Sequence, residues 1–181
     1  MKVETMRSFA TACAALLAAT PSLAQAAEAP CLTPAEASSL AAYALPSVIS
    51  GTTKRCSAAL GPDAFLRNGG GELASRYAAR KSQNWPLAKT GFFKIGGDSQ
   101  DQSAAFLSGL PDASLQQMLD AIIEGMVAQE IPTKDCKTID RIIGLLAPLP
   151  AQNTAELITV VIGLAGASGK AKGDKFSICK S

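Results

Sequence analysis

The chain has 181 residues, 48% of them apolar and 18% charged, with a mean hydropathy of +0.18 and a formal net charge of +2. A chain of roughly 150 residues hides about two-thirds of its unfolded surface, so a buried core is possible and wholesale disorder is excluded. Histidine is absent, which excludes Ser-His-Asp and Cys-His catalysis, His-ligated metals and an imidazole pH switch.

Residues 1–26 read as a cleaved secretory signal peptide. Lys2 and Arg7 form a basic start, residues 9–19 are almost unbroken apolar, and Ala24-Gln25-Ala26 gives a small-x-small cleavage site. The apolar run is about half the roughly 20 residues a bilayer span needs, so no transmembrane span is expected. Cleavage is expected after Ala26, with Ala24 as the alternative. The short Ala-rich leader favours the periplasm, or secretion more generally, and leaves residues 27–181 as a single domain. Loss of Cys13 with the leader leaves Cys31, Cys56, Cys136 and Cys179, an even count that predicts two disulfides with three possible connectivities.

The elements of the mature chain are nearly all helical. Thr33-Pro34-Ala35-Glu36 combines a capping Thr, Pro at the first helical position and Glu closing a capping box. Pro46 is expected to bend or end that helix, with a second helix over 47–60 returning along it to Gly61-Pro62. Asn68-Gly69-Gly70-Gly71 breaks the chain, and a short helix follows over 72–82. Residues 83–100, punctuated by Trp85-Pro86, Gly91 and Gly96-Gly97, read as the least regular part, with a mobile loop at 96–99.

Pro111-Asp112 opens the most periodic helix. Leu115, Met118, Leu119, Ile122, Ile123, Met126 and Val127 fall at helical spacing, with Asp120 and Glu124 opposite. Ile131-Pro132 stops it, and Thr133 caps a helix through Leu146 that Pro148 and Pro150 close. The last helix, over 155–165, is apolar nearly all round, which predicts a central place in the bundle. No stretch alternates as a strand would. The predicted fold is all-α, a small disulfide-stapled bundle of about five to seven helices after the signal peptide. A hairpin at Pro46 predicts the pairs Cys31 with Cys56 and Cys136 with Cys179, each closing a local loop.

Four constellations could carry chemistry. Gly163, Gly166 and Gly169-Lys170 invite a phosphate loop, but the Walker pattern fails at Leu164 and Ala171. Asp120 and Glu124 could act as paired carboxylates, yet opposite an apolar stripe they read as solvated. Met118 and Met126 read as core packing rather than copper ligands. No catalytic residue, metal site or cofactor is assigned.

The fourth constellation is basic and aromatic. Residues 64–94 hold six cations against one acid and five of the nine aromatics, whereas 95–160 carry three cations and nine acids. Arg76, Tyr77, Arg80, Lys81, Trp85 and Lys89 are the candidate binding residues, for an anionic lipid surface or an acidic protein face. Nucleic acid is excluded on compartment grounds. The plainer alternative turns the aromatics inward and pairs the cations with the acidic block. The function expected is an exported, non-catalytic helical binding or interaction protein. The alternatives are a carboxylate-dependent glycan-acting enzyme and a structural or stress-related periplasmic helper.

Overall fold

Thr33 and Glu36 start the first helix as their types require. The Thr33 hydroxyl accepts from the Glu36 N–H at 3.2 Å, and Glu36 Oε2 accepts from the Thr33 N–H at 2.9 Å. The helix they open, α1 (Pro34–Cys56), runs unbroken through Pro46 for 23 residues. The computed structural model describes residues 31–96, 102–167 and 177–179. The signal-peptide expectation, the loop at 97–99 and Gly169-Lys170 lie outside them.

Among the described residues the order continues with α2 (Phe65–Asn68), α3 (Gly70–Ala78), α4 (Lys81–Gly96), α5 (Gln102–Ser108), α6 (Asp112–Glu130), α7 (Cys136–Leu146) and α8 (Ala151–Ala167). The class is all-α, as predicted. The eight helices exceed the expected count because short pieces, four residues in α2 and seven in α5, form separate helices. The one strand pairing described is parallel, two residues long, and joins β1 (Cys31–Leu32) to β2 (Ser177–Ile178).

The central helix is α1, against which α3, α4, α6 and α8 all pack. Its buried residues are mostly small (Ala37, Ser38, Ser39, Ala42, Ser47, Gly51, Thr52), which lets four neighbours approach one axis. That packing explains Pro46. A proline inside a helix costs about 3 kcal/mol. Here Pro46 is itself buried in the middle of a helix packed by four others, and that packing offsets the lost hydrogen bond.

The unbroken α1 corrects the hairpin expected at Pro46 and the disulfides deduced from it. Cys31 and Cys56 lie at opposite ends of a helix roughly 35 Å long at 1.5 Å per residue, beyond any disulfide. The bridges are Cys31 to Cys179 and Cys56 to Cys136, spanning 148 and 80 residues. One joins β1 to the residue after β2; the other ties the end of α1 to the start of α7.

Two further expectations are corrected. Most of the segment expected to be least regular is the helix α4, held by Trp85, Ala88 and Gly91 on its buried side. The last helix is peripheral rather than central. In α8, Leu157, Val160, Val161 and Leu164 are 47–67% exposed, and only one side, including Ala151 and Ala155, reaches the core.

Candidate functional site

The basic-aromatic residues divide into two groups. Arg76, Tyr77 and Arg80 gather at the corner between α7 and α8. The Arg76 guanidinium donates to the Ala147 carbonyl and stands 5.9 Å from the Tyr77 ring centre. The buried Tyr77 hydroxyl donates to the Leu149 carbonyl at 2.9 Å and lies 3.0 Å from Thr154 Oγ1. Arg80 is exposed and, with Arg76 and residues 148–151, borders a shallow recess of about 310 Å³.

Lys81, Trp85 and Lys89 lie on α4 and face α1 and α6. Trp85 is buried against Tyr43, with ring centres 5.1 Å apart, in a cluster with Leu115 and Leu119. The Lys81 ammonium sits 4.3 Å from the Tyr43 ring centre and pairs with Asp120, which also accepts from the Ser47 hydroxyl at 3.1 Å. Burial, and then the Asp120 charge, push the Tyr43 phenol above its ordinary range. Lys89 meets Asp112 at 2.7 Å and holds that carboxyl below its ordinary value.

Asp120 and Glu124, expected to be solvated, pair with Lys81 of α4 and Lys54 of α1. Ile122 and Met126, expected in the core, are 46% and 54% exposed. Both corrections have one cause. Ser47 and Gly51 make α1 narrow where α6 crosses it, so α6 turns its Asp120 side as well as Leu115 and Leu119 inward. Among the described residues no three Cys, Asp or Glu side chains converge as metal ligands.

An apolar concavity lies elsewhere, between α1, α8 and the strand pair. Its floor is the face of α1 bearing Ala37, Leu40, Ala41, Ala44, Leu45 and Val48. Ile158, Thr159 and Ile162 of α8 form one wall, and Leu32 and Ile178 of the two strands form the end. The volume is about 340 Å³. Every described lining residue is aliphatic except Thr159, whose hydroxyl is already given to the Ala155 carbonyl at 2.9 Å.

The chain matches no family model, no curated protein and no solved structure. The pocket residues therefore stand on their own geometry. They carry one sequence signal that periodicity scoring for core faces passes over. Ala37, Ala41, Ala44 and Val48 put small side chains along one stripe of α1, and a stripe too small to fill the space beside a neighbour leaves a cavity.

Proposed function

We propose that this protein is an exported, non-catalytic binding protein that holds the hydrocarbon chain of a single-chain amphiphile in the pocket between α1 and α8. The observation that carries the reading is the pocket's lining among the described residues: aliphatic apart from Thr159, whose hydroxyl is internally satisfied. Such walls recognise a ligand by the apolar area they remove from water, about 0.8 kcal/mol per buried methylene. Among the described residues they offer no nucleophile, acid or base. Among the described residues they also offer no aromatic face on which a flat ring system could stack. The volume of about 340 Å³ lies at the small end of the roughly 300–1,000 Å³ of ligand sites, which suits a flexible chain with its head outside.

Two disulfides support a periplasmic or extracellular setting, because such bonds persist in oxidising compartments. Among the described residues no helix is long and apolar enough to cross a membrane. The anionic-surface reading of residues 64–94 is less well supported, since Lys81, Lys89 and Lys94 already pair with Asp120, Asp112 and Glu36. The test is displacement of a dansyl-labelled undecanoate by unlabelled fatty acid. Ala44→Phe puts a ring into the floor and is expected to weaken the probe by about tenfold or more, the equivalent of two lost methylenes. An Arg80→Ala control should bind normally. Equal binding by the folded Ala44→Phe variant would overturn the reading.

A further inference from the structure

We propose that Cys31–Cys179 is a reducible latch on the apolar pocket, whereas Cys56–Cys136 is a permanent staple; the latch's role in retaining a ligand rests on the pocket reading above. The two bridges differ in access and in what they hold. Cys56 and Cys136 are 0% and 1% exposed, enclosed with Leu60 and Leu66. Cys31 and Cys179 are only partly buried. Thiol–disulfide exchange needs a thiolate to reach one sulfur of the bond, so a reductant meets the two bridges with very different ease.

The accessible bridge is adjacent in the chain to the pocket. Leu32 follows Cys31, Ile178 precedes Cys179, and both side chains form the pocket's end. Among the described residues, what meets β2 besides the disulfide includes a two-residue pairing with β1, the neighbouring Cys179 N–H to Leu32 carbonyl bond of 2.8 Å and contact with α8. A pairing that short has no independent stability. Breaking the covalent tie therefore releases β2, withdraws Ile178 and opens the pocket to water. The chemistry balances with a dithiol reductant. Its thiolate attacks one sulfur to give a mixed disulfide and a cysteine thiolate, and its second thiol resolves the mixed disulfide. Cys31 and Cys179 end as thiols while the reductant is oxidised by two electrons to its own disulfide.

The experiment titrates the full protein with dithiothreitol, traps free thiols by alkylation and maps them. Binding of dansyl undecanoate and hydrogen exchange of the 31–32 and 177–179 amides are read on each trapped species. Cys31 and Cys179 should be alkylated first with Cys56–Cys136 intact. Exchange at both strands should then rise, helical circular dichroism should persist, and probe affinity should fall about tenfold with the lost wall. The Cys31→Ser/Cys179→Ser double variant should behave as the reduced species. Reduction of Cys56–Cys136 first, or unchanged exchange in the selectively reduced protein, would overturn the latch. Failure of the oxidised protein to bind the probe, with exchange still rising on reduction, would instead overturn the ligand reading and leave the opening supported.

Discussion

A β-carbon placed on Gly51 would stand 2.5 Å from the carbonyl oxygen of Glu124. The backbones of α1 and α6 thus meet directly at this point, and the obstacle is main chain rather than a flexible side chain. Gly51→Ala gains about 1 kcal/mol of helix propensity but forces the helices apart, and overpacking costs about 1–3 kcal/mol. We expect a net loss, seen as a melting temperature lower by about 2–4 °C per kcal/mol lost. An unchanged or higher melting temperature would mean that α6 does not cross α1 at Gly51.

Asp120 joins three elements, accepting from Ser47 of α1 and pairing with Lys81 of α4 from its own place on α6. Lys81 is only 15% exposed, so losing its counterion matters more than at an open surface. Asp120→Ala should cost about 1–2 kcal/mol, given that Asp120 itself is partly exposed. It should also bring the Tyr43 phenol back towards its ordinary titration range, because the carboxylate charge helps to raise it. Ultraviolet titration of the two tyrosines reads this directly, and an unmoved Tyr43 would contradict the contact.

Glu36 gives the fold an acid-sensitive point. Its carboxyl is held below the ordinary value of 4.5, first by the Lys94 ammonium and then by the Thr33 N–H. A depressed carboxyl stabilises the native state fully above its unfolded pKa, and that contribution is withdrawn as the pH falls through the folded value. Urea midpoints should therefore hold above about pH 4.5 and decline below it. Glu36→Gln keeps a residue able to close the capping box but removes the charge, so its acid decline should be shallower. Identical slopes in the two proteins would place the acid sensitivity elsewhere.

How far the sequence could be read depended on whether a local rule was overruled from a distance. The Thr33 capping box, the start of α6 after Pro111 and the stop at Pro148 involve only neighbours, and all are as expected. Pro46 was misleading because the helices that keep α1 whole come from 70–167, and nothing near Pro46 records them. The disulfide pairing inherited that error. The exposure of α8 was hidden for a related reason: apolar composition shows what a helix could bury, while its neighbours decide which side is covered. Among the candidate site residues, Tyr77 and Trp85 turned inward and Lys81 and Lys89 found acids on α6, whereas Arg80 remained at the surface. Among its described residues the pocket left no charged or aromatic mark, only a stripe of small aliphatic residues on α1.

The central claim is that the α1–α8 pocket takes a hydrocarbon chain, and a chain-length series tests it most directly. Calorimetric titration of the oxidised protein with straight-chain carboxylates from hexanoate to hexadecanoate would separate chain recognition from head recognition. At about 0.8 kcal/mol per methylene, affinity should rise about fourfold per added carbon until the pocket is full, and then level off. The same series on Ala44→Phe should level off at a shorter chain. An affinity that is flat across the series, or that rises identically in the Ala44→Phe variant, would contradict the account.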